Sequence, residues 1–279
     1  MPRSDNDMKI SMVGKILIAD FAIALGVVVW LYLSNVTSSI LIDLYGVLFL
    51  GFIPVVGGVN GLIIAKRWGS FKSAVGRAVI FLSLGLISWG LGTYVFSGIY
   101  NFLLHVEVPY PSIADVGYIL SLPLWAVGMI QLSRATGAKY GLRSKKGKAI
   151  LFAIPILVIL VSYYLLVIVA RGGSIDLSGG GIPKIFFDLA YPIGDVIILT
   201  LATLVYGLSY NYFGGIYKKS IYVILLGFVI MYAADFLFSY TTTIEIWQPA
   251  DWVDLLFTTA VFILSMGVTM LDSRKALGA

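Results

Sequence analysis

Of the 279 residues in this chain, 59% are hydrophobic and only 12% are charged. A soluble domain of this size needs a polar surface that such a composition does not supply, so we predict an integral membrane protein. The net charge of +5 does not indicate nucleic-acid binding, because no soluble basic module carries it. The sequence contains no cysteine, which excludes disulfides, thiolate metal sites and a cysteine nucleophile.

Eight apolar stretches, each long enough to cross a bilayer, follow one another along the chain. In chain order they cover residues 10–34, 39–66, 73–103, 112–134, 148–170, 185–213, 219–243 and 249–271. Most of them lack the polar face that a helix on a soluble protein needs. The pattern predicts an all-α integral membrane fold of eight transmembrane helices. No linker is long enough to separate domains, so we expect a single transmembrane domain over 1–279.

Basic residues predict the orientation of these helices. If the N-terminus is cytoplasmic, all but two of the 19 lysines and arginines fall in cytoplasmic loops and tails, the exceptions being Arg171 and Lys184. We therefore expect a multi-pass protein of the cell membrane with both termini in the cytoplasm. Its basic loops would face the anionic headgroups of the lipid bilayer.

The two halves of the sequence resemble each other. Residues of the first half match residues of the second at offsets of about 138–139: Glu107 with Glu245, Pro111 with Pro249, Asp115 with Asp254 and Gly128 with Gly267. Because each half holds four helices, the copies would share one orientation and be related by an axis along the membrane normal. We predict a tandem repeat with halves near 10–134 and 148–274. The alternative is that proline and aspartate are simply common where helices start.

Aspartates inside the spans are the strongest indication of function, because an ionised side chain is costly in a bilayer. Five of them lie where helices start, at the side expected to face outward: Asp43, Asp115, Asp188, Asp251 and Asp254. A carboxylate in a first turn caps free N–H groups, and this role is favoured for all of them except Asp188. Asp195 and Asp235 lie too deep to cap a helix, so each must be protonated, paired or in contact with water.

The predicted sixth helix contains a potential hinge between two acids, Asp188 and Asp195, which are seven residues apart and share one face. Pro192 removes a backbone hydrogen bond and would kink the helix, and Gly194 permits a close backbone approach. Proline and glycine also occur in membrane helices for packing alone, which is the alternative.

Residue types exclude several cofactors. The single histidine, His105, lies in a loop, so a bis-histidine haem is not expected, and lysines occur only at helix ends, which leaves none for a retinal Schiff base. No nucleophile with an adjacent base, P-loop or zinc motif is visible, so an intramembrane enzyme is the least favoured class. A site built of carboxylates could hold Ca²⁺, Mg²⁺ or Mn²⁺, and the metal stays unknown. Carboxylates beside aromatics such as Tyr118 and Tyr191 would suit an organic cation.

A P-x-x-A-D segment ending at Asp115 and a Y-P-x-G-D segment ending at Asp195 occur in that order. Together they resemble the multi-pass membrane domain that precedes diguanylate cyclase, phosphodiesterase or histidine kinase modules in bacterial signalling proteins. The resemblance covers most of the chain from the third helix onwards. It places these residues on motif positions: Asp115, Tyr118, Pro123, Tyr191, Pro192, Asp195, Asp235 and Asp254. It implies a sensory role, and since no output module is present, a signal would pass to a separate protein.

We therefore expect a stand-alone membrane sensor or small-ligand-binding protein. Its outward-facing acidic and aromatic cavity would be lined by Asp115, Tyr118, Asp188, Tyr191, Asp195, Asp235 and Asp254, with Pro192 and Gly194 as the hinge. The ligand would be a proton, a cation or an amine, and the partner a separate signalling protein. One alternative is a secondary transporter that uses the midplane aspartates, with only Asp20 to continue a path inward. Another is a structural subunit of a membrane complex.

Overall fold

A computed structural model describes residues 10–34, 39–173, 181–209 and 218–272. In these ranges, eight helices are long and apolar enough to cross a membrane, which confirms the predicted all-helical, multi-pass architecture. We number them α1 to α8 in chain order: Met12–Leu33, Ile40–Arg67, Ala74–Leu103, Ile113–Ala135, Lys145–Val169, Gly181–Ser209, Lys218–Thr243 and Trp252–Thr269.

The predicted bounds differ most from the structure at α6. This helix begins at Gly181 rather than at residue 185, so residues 181–184, which precede the predicted span, form its first turn. Pro183 permits this early start, because a proline in the first turn of a helix removes no intrahelical hydrogen bond. The predicted end of the helix, at residue 213, lies outside the described residues.

The bundle has two ends, which we name by their loops. Loops 104–112 and 244–251 lie at one end, called the proline-loop end, because α3 and α7 finish there and α4 and α8 begin there. Loops 68–73 and 136–144 lie at the other, called the basic end. At the basic end Arg67 forms an ion pair of 2.6 Å with Asp272, which links the end of α2 to the residues after α8.

Three helices widen towards the proline-loop end. They contain π-helical segments at Gly46–Gly51, Tyr94–Leu103 and Tyr163–Val169. In a π-helical turn a backbone N–H donates to the carbonyl five residues earlier, as Ala170 does to Leu165 over 2.8 Å. The apolar periodicity did not predict these segments. A change in the number of residues per turn shows in a sequence only when one face of the helix is polar, and these helices are apolar on most faces.

Glycines allow two close helix pairs to form. In the α3–α4 pair, Gly85 lies against Trp125, and Gly128 lies against Leu82. In the α7–α8 pair, Gly227 lies against Leu264, and Gly267 lies against Ile224. A Cβ atom at Gly128 would stand 2.9 Å from the Leu82 Cγ, so a larger residue would push the helices apart.

The two helix pairs meet in one core. α2 packs against α8 and α4 against α6, while α1 covers α2 and α8 and α5 covers α6. Trp125 is 2% exposed and meets the Phe228 ring edge-on, with ring centroids 5.5 Å apart. The outward faces carry exposed apolar side chains such as Phe152 and Leu160, which is what a lipid-covered surface requires.

Candidate functional site

Asp115 closes a reciprocal cap at the start of α4. The Ser112 hydroxyl accepts a hydrogen bond from the Ala114 N–H at 3.2 Å, and the Asp115 Oδ2 accepts from the Ser112 N–H at 2.7 Å. This arrangement satisfies two N–H groups that a helix start leaves without partners. The predicted capping role of Asp115 is confirmed.

Acids also cap the start of α8. The Asp251 Oδ1 accepts from the N–H groups of Val253 and Asp254 at 2.7 and 3.2 Å, and the Asp254 Oδ2 accepts from the Ala250 N–H at 2.7 Å. Burial raises the pKa of Asp251 above its usual range, although the N–H groups that it accepts from act in the opposite direction. Capping is therefore confirmed for both residues.

Asp43 is placed differently. It is buried and interacts electrostatically with His105. The predicted capping role is wrong for Asp43, because the helical residues begin at Ser39, one residue before the apolar span of α2, and Asp43 therefore lies in the second turn.

A tyrosine joins the α4 cap to α6. The Tyr191 hydroxyl donates to the Asp115 Oδ1 at 2.7 Å, so the two carboxylate oxygens of Asp115 serve two different helices. Tyr118 lies one turn after Asp115 and interacts electrostatically with both Asp115 and Asp254. The Tyr118 ring packs on Trp89 with centroids 5.4 Å apart. The structure therefore brings together four of the predicted site residues.

A matching contact joins α2 to α8, and the sequence argument missed it. The hydroxyl groups of Tyr45 and Thr258 are 2.8 Å apart, and Tyr45 is 1% exposed. Tyr45 also interacts electrostatically with Asp254. The predicted repeat could have prompted a search for this contact, because an alignment of Asp43 with Asp188 would place Tyr45 one residue from the position of Tyr191.

Asp188 lies nearer the surface, in a salt-bridged group. Its carboxylate accepts from the Tyr110 hydroxyl at 2.8 Å and from the Lys184 ammonium group at 2.9 Å. Burial and the Asp188 carboxylate raise the pKa of Tyr110, so the phenol stays neutral and acts as a donor. The side chain of Asp188 is thus already satisfied by partners at the proline-loop end.

Pro192 leaves the backbone carbonyl of Asp188 without a helical donor, and Arg171 donates to it instead. A proline has no N–H, so the carbonyl of Asp188, four residues earlier, lacks its helical donor. The Arg171 Nη1 donates to that carbonyl at 3.2 Å. Arg171 follows α5, and its Nε donates to the Ser239 Oγ of α7 at 3.5 Å, so one side chain links the end of α5 to two other helices. The sequence argument placed Arg171 on this side of the membrane but gave it no role.

Pro192 lies inside a continuous helix, since α6 runs without interruption from Gly181 to Ser209. Gly194, the other residue of the predicted hinge, lies against Leu122 of α4. A Cβ atom at Gly194 would stand 3.1 Å from the Leu122 Cγ, so a close approach of α4 and α6 requires the glycine.

Asp195 and Asp235 form the deepest acidic contact. Asp195 lies at the midpoint of α6, about 21 Å along the helix axis from Gly181, and is buried. Its carboxyl group is in hydrogen-bonding contact with the carboxyl group of Asp235 on α7. Two carboxyl groups can form such a bond only if one of them carries a proton, because an ionised carboxylate accepts but does not donate.

Among the described residues, a cation and a phenol interact electrostatically with this carboxyl pair. Arg171 and Tyr232 both interact electrostatically with Asp195. The Tyr232 hydroxyl donates to the Ser162 Oγ at 2.8 Å, which ties α7 to α5 beside the pair. In the described ranges, no group of three or more histidine, aspartate or glutamate side chains is placed to hold a metal ion.

The predicted site residues therefore fall into three separate groups, and α6 contributes one residue to each. Asp188 belongs to the salt-bridged surface group, Tyr191 to the group around Asp115, and Asp195 to the carboxyl pair. No protein-family model, no curated protein and no solved structure matches this chain. A functional proposal therefore rests on this geometry and on the chemistry of its side chains.

Proposed function

We propose that this chain is a membrane sensor that binds a proton or a small cation between α6 and α7. The observation that carries the proposal is the direct contact between the carboxyl groups of Asp195 and Asp235. Acids at the middle of a transmembrane helix are costly, and pairing them costs more unless something positive lies between them. A proton meets that need, and so does a cation with a small shell of oxygen ligands.

Arg171 provides a way for the site to change the helices. Its guanidinium group already interacts with Asp195 and also holds the carbonyl of Asp188, which Pro192 leaves free. A cation between the two carboxyl groups would repel Arg171 and weaken its hold on that carbonyl. α6 would then move relative to α5, which is a population shift driven by differential binding.

Two features of the helix contacts support the predicted tandem repeat. In α3–α4 and in α7–α8, a pair of glycines makes the same reciprocal contact, Gly85 and Gly128 in one half and Gly227 and Gly267 in the other. Tyr191, in the second helix of one half, donates to the helix-start acid Asp115 of the other half, and Tyr45, in the second helix of the first half, interacts electrostatically with the helix-start acid Asp254. The second half supplies an acid pair between α6 and α7. In the first half, Thr93 occupies the position that would match Asp235, so only the second half would bind the ligand.

The resemblance to the membrane domain of bacterial signalling proteins supports a sensory role over other uses of the site. Six motif positions of that resemblance contribute to the two deeper groups of site residues: Asp115, Tyr118, Tyr191, Asp195, Asp235 and Asp254. With both termini in the cytoplasm, as the basic residues indicate, the proline-loop end would face outward. A change in α6 would then reach a separate signalling protein through the basic loops.

The test is the thermal stability of the purified protein with a series of monovalent and divalent cations and amines at constant ionic strength. A cation at a hundred times its Kd stabilises the folded protein by about 2.7 kcal/mol, which is readily measured. We expect one ligand class to stabilise the wild type but neither Asp195→Asn nor Asp235→Asn. Glu107→Gln, which removes an exposed acid from a loop, is the matched control and should respond like the wild type.

Protons need a separate measurement. We expect the infrared spectrum of the wild type to contain the band of a protonated carboxylic acid, and Asp195→Asn to lack it. If both variants keep the cation response and the spectrum of the wild type shows no protonated acid, the proposed site is wrong.

A secondary transporter is the second candidate, and one observation favours it. Asp20 of α1 has a buried carboxylate oxygen, Oδ2, without a hydrogen-bond partner, and Tyr94 of α3 interacts with it electrostatically. A carboxylate in this state could pass a cation or proton towards the basic end. Reconstituted liposomes decide between the candidates, because a carrier produces a flux that Asp20→Asn abolishes and a sensor produces none.

A further inference from the structure

A groove at the basic end lies apart from the aspartate groups. Its volume is about 430 Å³, and it opens between α4, α5 and α6. Its lining combines five leucines, which we call the leucine floor, with two exposed cations, which we call the rim: Leu142, Leu151, Leu201, Leu204 and Leu208, with Arg134 and Lys139. No acidic residue is among the described residues that line it.

Local contacts hold the shape of this groove. Thr136, which ends α4, has its hydroxyl 3.0 Å from the hydroxyl of Ser209 at the end of α6. The short helix Ala138–Gly141 then crosses α6, with Gly141 against the backbone of Leu208. A side chain at Gly141 would collide with that backbone, so the glycine sets the distance of the short helix from α6. Lys139 is thereby held at the rim.

We infer that this groove binds an anionic phospholipid. The leucine floor can cover part of an acyl chain, while Arg134 and Lys139 lie at helix ends, which is where the headgroups of a bilayer lie. Both cationic side chains are exposed, and the Arg134 Nη1 is 3.5 Å from its acceptor on Gln131, which leaves the guanidinium group able to bind a phosphate.

The apolar floor decides between a lipid and a free phosphate. A phosphate ion alone would contact only the rim and leave the leucines exposed. An anionic amphiphile satisfies both parts at once, because its charge meets the cations and its chain covers the leucines.

The test measures binding of phosphatidylglycerol to the intact purified protein by native mass spectrometry, with phosphatidylcholine as the neutral lipid. The variant Arg134→Gln/Lys139→Gln should bind phosphatidylglycerol roughly thirty-fold more weakly, since each basic residue near an anionic lipid contributes about fivefold. The control Lys66→Gln/Lys72→Gln removes two exposed charges from the same end outside the groove and should keep the affinity of the wild type.

A second variant tests the floor without changing charge. Leu151 is 36% exposed, so Leu151→Trp can fill the groove without disturbing the core, and it should also weaken phosphatidylglycerol binding. The inference is overturned if the control loses as much affinity as the rim variant, because the attraction is then general. It is also overturned if glycerol phosphate competes as well as the lipid, or if Leu151→Trp binds like the wild type.

Discussion

The acids at helix starts and the acids in mid-helix obtain their partners in opposite ways. Asp115, Asp251 and Asp254 accept hydrogen bonds from backbone N–H groups that any helix start leaves unpaired. Asp195 and Asp235 have no free N–H groups nearby, because helical bonds occupy the backbone there, and their carboxyl groups meet each other instead. The first kind of acid stabilises the fold without any ligand, whereas the second needs a proton or a cation to do so.

Replacing Asp115 by alanine should have the largest effect on stability. The change removes the helix cap, which is worth about 1 kcal/mol, and leaves the Tyr191 hydroxyl without its acceptor, which costs about 1–3 kcal/mol more. We expect the free energy of unfolding in mixed micelles to fall by roughly 2–4 kcal/mol. Asp115→Asn should fall between alanine and the wild type, because an amide keeps only one of two acceptor oxygens.

A double-mutant cycle with Tyr191→Phe isolates the contact between α4 and α6. We expect a coupling energy of about 1 kcal/mol between the two substitutions. Tyr45→Phe is the matched control, because it removes a buried tyrosine hydroxyl that does not contact Asp115. Purely additive effects of Asp115→Ala and Tyr191→Phe would mean that the cap acts alone.

Arg171→Gln should have the next largest effect. Loss of the guanidinium group leaves the Asp188 carbonyl without a donor, and we expect a cost of about 1–2 kcal/mol in the free energy of unfolding. Pro192→Ala restores a backbone N–H that can donate to the same carbonyl, so Arg171→Gln should cost much less in that background.

Lys184→Gln is the control for charge in this experiment. Lys184 forms a partly exposed ion pair with Asp188, and its loss should cost only about 0.5 kcal/mol. An equal cost of Arg171→Gln with and without Pro192 would show that the carbonyl contact contributes nothing.

The sequence predicted the spans because length and hydropathy are local properties. It also predicted the capping acids, since Ser112 and Asp115 lie three residues apart at a helix start and need no other helix to define their role. Whether Asp195 meets Asp235 depends on how α6 and α7 are rotated towards each other. Helices that are apolar on most faces do not encode that rotation in their periodicity.

Arg171 shows a different limit of sequence reasoning. The freed carbonyl of Asp188 follows from Pro192 alone, but its donor is a side chain that follows another helix, α5, and lies 17 residues earlier in the chain. The general expectation that a proline leaves a carbonyl in need of a donor could have prompted a search for a nearby arginine. The choice of Arg171 over Lys184 required the structure.

The role of Asp251 as a helix cap can be tested by measuring the free energy of unfolding as a function of pH. Its pKa is raised in the folded protein, so its protonated form is favoured there. The associated stability is complete below the unfolded value of about 3.9 and is lost as the pH rises through the folded value. Asp251→Asn caps equally well and carries no charge, so it should flatten this part of the pH profile and match or exceed wild-type stability at neutral pH.

Asp251→Ala separates the cap from the charge. It should lower the free energy of unfolding by about 1 kcal/mol relative to Asp251→Asn at every pH, because it removes the acceptor for the Val253 N–H. Equal stability of the alanine and asparagine variants would show that the cap at α8 is not needed.

Asp195→Asn should have the smallest effect on stability, less than about 1 kcal/mol. The amide group can donate to the Asp235 carboxylate and so replaces the shared proton of the carboxyl pair. Asp195→Leu offers no donor and leaves Asp235 unpaired, which should cost about 1–3 kcal/mol. If Asp195→Asn instead costs as much as Asp115→Ala, then Asp195 is held as an ion by Arg171. The mid-helix acid would then be a structural element like the caps, and the contrast between the two kinds of acid would be lost.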